Sequence, residues 1–462
     1  MKKILTFCLM GCVVLGTVSA LADTQTETQI KKMMNDWLSL SGIECPSDIL
    51  LKPEQTGYQV TVPNCRIAML DKEVPTYTFS LKEKDAFEGK KRYSYTLDNL
   101  NQIAPVLSIF SEQFPITHDS AKYTQDIVPD MDLILNQKSQ VQNLVFPIQD
   151  IKISIGKIEG SLTNTKEGDH FKGENSMSFD DIQISHMLGN GKITRIFSEL
   201  VTPVKISNNF DFLKEAKQFN TKMTIDGVQI DSLFAKASFN LDGTADVKIN
   251  EKDEINLAVV VKGKDIVVSE QKDIPQNVLV DFNISGVTTE QISNYEKTMR
   301  ALNEIQDLPE SEAKKMMLQK AFLNFQEAQE NVMSTLAIKL NQAKFESDKY
   351  IVVMEGNINL KQEQIIGSIS VVNFDYLASE PKPVNEAECK KVMDKVLDGS
   401  LKGDAFEKEF NDKCNEQKGI LNDLRQYAAT AQKTKIDGKD ALKFDIVAKD
   451  GNITINGQPF SF

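Results

Sequence analysis

Two spacings of apolar residues run along this chain, and they occupy different stretches of it. Through the middle, apolar side chains fall on alternate positions: Ile151, Ile153 and Ile155; Phe239 and Leu241; Val247 and Ile249; Ile255, Leu257 and Val259; Ile266 and Val268; Val278, Val280, Phe282 and Ile284. Period two with one apolar face predicts antiparallel sheet whose other face meets water. Asp242-Gly243 and Gly263-Lys264 fall between such runs and suit tight hairpin turns. No helical stripe separates these strands, so the pattern is that of a meander, not of a parallel α/β sheet. Alternation resumes at Leu336/Ile338/Leu340, Tyr350/Val352/Met354, Ile358/Leu360 and Ile369/Val371, and a last hairpin sets Phe444/Ile446 against Ile453/Ile455 about Asp450-Gly451.

Helical spacing appears at three places. Ile30, Met33, Met34, Trp37 and Leu38 form one stripe behind a capping box at Thr24–Glu27, with Gly42 as the terminator and Trp37 as a core anchor. Thr288 with Gln291 caps a helix carrying Ile292, Tyr295, Met299 and Leu302. Asp307 with Glu310 caps a second, carrying Ala321, Phe325, Ala328 and Val332, and Pro309 separates the two. After Pro381 and Pro383 come the stripes Cys389, Val392, Met393, Val396 and Phe406, Phe410, Cys414, with helix continuing over 420–431. Short extended runs follow Gly57, whereas 82–145, broken by Pro105, Pro115 and Pro129, reads as less regular.

The fold expected is therefore α+β, mainly antiparallel β: a long curved strand meander packing helices, with a C-terminal disulfide-linked helical hairpin as an insert. The divisions are 1–22, a signal peptide; 23–145, an N-terminal α+β region; 146–287, the β-meander; 288–332, a helical insert; 333–380, strands continuing the sheet; 381–432, the helical hairpin; and 433–462, the closing β-hairpin.

The first 22 residues change the address. Lys2 and Lys3 precede an apolar run from Ile4 to Val18, and Ala20-Leu21-Ala22 is a small-residue cleavage site before Asp23. The run is shorter than the roughly 20 residues of a spanning helix, so cleavage and export to the periplasm are expected. An uncleaved signal anchored in the inner membrane is the alternative. Four cysteines remain after cleavage, Cys45, Cys65, Cys389 and Cys414. An even number in an exported chain favours disulfides; of the three pairings, local sequence favours 45–65 with 389–414. Neither pair has the Cys-x-x-Cys spacing of a zinc site.

Charge and composition narrow the chemistry. The formal net charge of −13 lacks the positive field that binds phosphate backbones, so nucleic acid is excluded as a partner. No Gly-x-Ser-x-Gly elbow, His-Glu-x-x-His or P-loop occurs. Of the 3 His, His118 sits beside Asp119 in a loop-like setting, His170 lies in a polar turn and His186 ends an alternating run. None has a nucleophile or ligand set placed beside it locally. The reading is of a non-enzyme, with no catalytic, cofactor-binding or metal residues and no cofactor.

The signal, the strand-rich body, the segment Val278-Leu279-Val280-Asp281-Phe282-Asn283-Ile284-Ser285-Gly286 leading into the 288–332 helices, and the ending Asp450-Gly451-Asn452-Ile453-Thr454-Ile455-Asn456-Gly457-Gln458 together resemble the YdgA-like family of Gram-negative envelope proteins. The resemblance lies in the C-terminal half; the 381–431 hairpin and its cysteines depart from it. It implies a periplasmic or inner-membrane-facing protein and carries over no catalytic residue. The function expected is that of an exported, non-catalytic envelope protein that shelters or contacts lipid in an apolar groove. The alternative is a chaperone-like module that binds an envelope protein through strand edges or the helical hairpin.

Overall fold

In a computed structural model, residues 24–40, 43–67, 72–99, 116–148, 150–206, 215–232, 236–269, 274–306, 311–378, 386–397 and 421–460 are described. The chain is mostly antiparallel β and divides into two units, Met1–Val228 and Gln229–Phe462.

The first unit opens with helix α1 (Thr24–Leu40). The short strands β1 (Ile43–Glu44), β4 (Cys65–Ile67) and β5 (Lys72–Val74) form a small sheet in the order β1-β4-β5. The main sheet runs β2 (Leu50–Glu54), β3 (Gly57–Val62), β6 (Tyr77–Phe87), β7 (Lys90–Leu97), β8 (Ser120–Val128), β9 (Leu133–Ile148), β10 (Ile151–Glu167), β11 (His170–His186) and β12 (Gly189–Thr202), each antiparallel to its neighbour. The division between the units falls within β13 (Gln218–Ser232).

Much of 82–145 is thus regular strand, where the sequence pattern predicts irregularity. The inward positions there carry polar and tyrosine side chains, which hides the alternation. Gln125, Gln137 and Ser139 face the core beside Tyr95 and Tyr123. Tyr95 Oη donates to Gln125 Oε1 at 3.0 Å and Gln125 Nε2 to Gln137 Oε1 at 3.4 Å, so the glutamines are satisfied within the core. Ile30, Met33, Met34 and Leu38 of α1 belong to the same buried cluster as Tyr58, Val60, Leu81 and Tyr95, on one face of the sheet. The Trp37 side chain lies outside the described set.

Cys45 and Cys65 form the expected disulfide, with Cα atoms 4.2 Å apart, tying the chain after β1 to β4. A loop closed over 20 residues contributes about 3 kcal/mol in the chain-entropy picture. The paired Cys45→Ala/Cys65→Ala variant, followed by urea unfolding, should lose about that amount. A loss near zero would show that the small sheet holds those ends together unaided.

The second unit runs β14 (Lys236–Ile249), β15 (Glu254–Val268), β16 (Asn277–Thr288), β17 (Ala337–Glu346), β18 (Ile351–Asn359), β19 (Gln364–Val372) and β21 (Lys439–Lys449), again antiparallel throughout. The far edge of β21 is shared by β20 (Gln432–Ile436) and β22 (Asn452–Ile455), and β23 (Gln458–Pro459) follows β22. Register shifts in the β14–β15, β15–β16, β16–β17 and β17–β18 ladders are bulges, which bend and twist the strands.

Asp450-Gly451 makes the expected two-residue turn, with φ of 49° and 76°. The other two turn candidates fail. Asp242-Gly243 lies inside β14 and Gly263-Lys264 inside β15, with Asp242 opposite Lys262 and Leu241 opposite Gly263. Pairing across two long strands outweighs local turn preference here, and the actual turn is at Asn250, whose Oδ1 accepts from Lys252 N and Glu254 N.

Between β16 and β17 stand α2 (Thr289–Gln306) and α3 (Glu312–Met333). The capping box at Thr288 forms: Gln291 N donates to Thr288 Oγ1 at 3.2 Å and Thr288 N to Gln291 Oε1 at 2.8 Å. The second helix is capped by Ser311, which accepts from Lys314 N, and not by Asp307, which lies outside the described residues. Its stripe is as expected, with Ala321 and Ala328 buried and the Phe325 ring tilted against Tyr295, centroids 5.3 Å apart. Further on come α4 (Phe374–Leu377), α5 (Glu386–Leu397) and a 3-10 helix, Asn422–Thr430, where continued α-helix is the expectation. On α5, Val392 is buried but Met393 is exposed. Cys389 is disulfide-bonded. The second helix of the expected hairpin, with Phe406, Phe410 and Cys414, lies outside the described residues.

Candidate functional site

The registers of the second unit place apolar residues in continuous rows across the strands. One row reads Val278, Phe345, Val352, Val371 and Leu442. The next reads Val261, Val280, Ala343, Met354, Ile369 and Phe444. A third links Val259, Phe282 and Leu340 through Gly356 and Gly367 to Ile446 and Ile455. The fourth is Ile284, Ile338, Ile358, Ile365, Ala448 and Ile453. All lie on one face, because directly paired residues point the same way.

The opposite face carries Asp281, Asn283, Lys339, Lys344, Glu355 and Lys443. Lys344 Nζ lies 2.8 Å from Asp437 and 3.2 Å from Glu346. The hydrogen bond to Asp437 raises the lysine's pKa, and that to Lys344 lowers the aspartate's.

Among the described residues, packed cover is found over one end of the apolar face. Phe374 and Leu377 of α4, with Leu424 and Tyr427 of the 3-10 helix, bury Val371, Phe444 and Ile455. Away from that cap, Val259, Val261, Val280, Phe282, Ile284, Leu340 and Phe345 are only half-buried. Ile365 is 44% exposed. A hollow of about 370 Å³ opens at this end, lined by Ile358, Leu360, Ile365, Ala448 and Ile453, with Glu363 and Lys449 also on its wall.

Gly356 and Gly367 stand opposite each other beside it, and a Cβ on either would lie within 3 Å of neighbouring backbone oxygen. Their bare backbone leaves a gap between Leu340 and Ile446 in the third row.

The first unit has the same division. α1 covers the face of β3 and β6 to β9, and Ile155 and Ile158 pack against that core. Beyond it Ile153 and Ile184, Phe179 and Ile196 pair across β10 to β12, half-buried or exposed.

These faces offer apolar contact and little else. Strands β15 to β19 are hydrogen-bonded along both edges, so an added peptide would find no ladder to join there. The three histidines stay apart. His118 is exposed before β8, His170 begins β11, and His186 ends it, its Nδ1 accepting from Leu188 N. Tyr95 is buried and Tyr77 partly so, and desolvation pushes both phenols up from their ordinary value. Among the described residues no group of three His, Cys, Asp or Glu side chains gathers as a metal site, and no helix is long and apolar enough to cross a membrane. Alternation in the sequence pointed to the apolar face, but not to which part of it lies uncovered. No family model, curated protein or solved structure matches this chain.

Proposed function

We propose that this is an exported, non-catalytic envelope protein that holds lipid acyl chains against the uncovered apolar face of its sheet. The observation that carries the reading is the set of half-buried apolar rows across strands already paired on both edges. Such a surface gains free energy by shedding water, at about 25 cal/mol per Å², and offers a ligand no buried polar group to satisfy. A hydrocarbon chain asks for nothing more, whereas a peptide would need partners for its backbone.

The segment 1–22 supports export to the periplasm, with a retained inner-membrane anchor as the other form of the same address. The resemblance to the YdgA-like envelope family agrees with that location. A disulfide between Cys389 and Cys414 across a helical hairpin belongs to the same reading, since Cys389 is already oxidised. No cofactor enters it.

Protein purified from its own envelope without detergent, extracted into organic solvent and examined by mass spectrometry, should release phospholipid or fatty acid at near-stoichiometric amounts. The yield should fall to background for Val261→Asp/Phe282→Asp. Lipid no more abundant than on an unrelated exported protein purified in parallel would refute the reading.

A further inference from the structure

The hollow at the strand ends combines a paired apolar row with one carboxylate and one ammonium. Ile358, Ile365, Ala448 and Ile453 face one another across β18, β19, β21 and β22, and Glu363 and Lys449 stand on the wall beside them.

The fold uses neither charge. Glu363 follows a 3-10 turn, Leu360–Gln362, that closes without its side chain. Asn359 Oδ1 accepts from Gln362 N at 3.2 Å, and Glu363 N donates to Leu360 O at 3.2 Å. Lys449 is placed by its backbone, which pairs with Gln364 on one edge and Asn452 on the other. Both side chains are exposed, and among the described residues neither forms a hydrogen bond or an ion pair. An ammonium and a carboxylate within about 4 Å would count as paired, so these two stand farther apart. Segments 360–364 and 448–453, which frame the hollow, hold Lys361 and Lys449 against Glu363 and Asp450, and their net charge is zero.

Such a mouth does not suit an anion alone. A free fatty acid or an acidic phospholipid would gain from Lys449 and be repelled by Glu363, whereas a zwitterion with separated charges meets both. The kind of cation follows from the wall. Quaternary ammonium groups are held by ring faces, and among the described residues no aromatic side chain lines the hollow. A carboxylate favours a primary ammonium, whose N–H groups donate to it.

The volume, about 370 Å³, is at the small end for a ligand pocket. It takes the first part of a lipid and leaves the rest of the acyl chains to the rows. Beyond the hollow, the gap at Gly367 and Gly356 leads toward Leu340 and Phe282, away from β21 and its cap.

We propose that the hollow is the headgroup end of the lipid site and selects a zwitterionic phospholipid with a primary ammonium. The phosphate faces Lys449, the ammonium faces Glu363, and the acyl chains pass over Ile358 and Ile365 onto the open rows. The assignment rests on the lipid reading above and adds which lipid is held.

The test offers delipidated full exported protein vesicles of phosphatidylethanolamine, phosphatidylcholine and phosphatidylglycerol in equal parts, all with the same acyl chains. Protein separated from the vesicles is extracted, and mass spectrometry reads the amount of lipid and the headgroup ratio independently. The parent should take phosphatidylethanolamine about fivefold over each of the others, the factor expected of a charge pair at an exposed site. Glu363→Gln should bring the ratio to equal shares, and Glu363→Lys should turn it toward phosphatidylglycerol. Lys449→Gln should lower the amount of all three about fivefold, because each carries the phosphate. These side chains make no bond among the described residues, so the variants should melt as the parent does.

Equal shares on the parent overturn the headgroup assignment and leave the lipid reading standing. A parent-like ratio in Glu363→Gln also overturns it, as does a parent-like amount in Lys449→Gln. Lipid no higher on the parent than on Val261→Asp/Phe282→Asp or an unrelated exported protein removes the lipid reading and the headgroup assignment together.

Discussion

Gly57→Ala is expected to destabilise the first unit by about 3 kcal/mol or more, the largest effect of any single methyl group added to that unit. Gly57 starts β3 at φ +141°, a region that residues with a Cβ rarely adopt. A Cβ built there falls 1.8 Å from the carbonyl oxygen of Leu81. That oxygen belongs to backbone and cannot swing aside as a side chain could. The neighbouring pair, Tyr58 and Leu81, is fully buried in the core that α1 shares, so a shift of β3 from β6 opens that core.

Gly89→Ala is the control. Gly89 also has positive φ, +70°, but nothing lies within 4 Å of its added Cβ, so only the backbone cost of about 1 kcal/mol applies. Urea unfolding followed by tyrosine fluorescence separates the two. Equal losses would mean that dihedral strain, and not the approach of β6, limits the site.

What could be read from the sequence depended on whether a residue's neighbours were local. Alternation at Val278, Val280, Phe282 and Ile284 gave away β16, and the capping box at Thr288 the start of α2, because each signal sits within a few residues of the structure it specifies. The Asp242-Gly243 turn failed for the converse reason. Its two residues are paired to β15 over most of a long strand, and that ladder is invisible in the dipeptide. The strands β6 to β9 were hidden by their own core. Gln125 and Gln137 look like solvent positions until Tyr95 supplies the hydrogen bond that buries them.

The site was legible by half. Alternation identifies which residues share the apolar face, but its cover comes from α4 and the 3-10 helix, distant in sequence from most of the strands they pack on. Among the described residues, that packing decides which rows stay open. The cysteines show the same contrast: Cys45 and Cys65 were paired by proximity, and β1 beside β4 brings them together.

Phe444→Ala and Phe282→Ala should differ by several-fold in their cost, although both phenylalanines are on the same face of one sheet. Phe444 is fully buried, with its ring 5.0 Å from that of Phe374 and with Val371 and Ile455 in the same cluster. Truncating it leaves a cavity that the cap cannot fill, at about 3–5 kcal/mol. Phe282 is half-buried beside Leu340 and the side-chain-free Gly356, with no helix of the buried cluster above it. Its truncation exposes a surface already open to water and should cost about 1 kcal/mol.

Saturating fatty acid should reverse part of this ordering. A ligand seated on the open rows stabilises the folded chain in proportion to its affinity, so the rise in melting temperature seen with the parent should be kept by Phe444→Ala and reduced in Phe282→Ala. Thermal melts of the three proteins, with and without the ligand, read both effects at once. Equal destabilisation by the two substitutions would mean that the rows around Phe282 are covered in solution, and a face that is already covered has no room for an acyl chain.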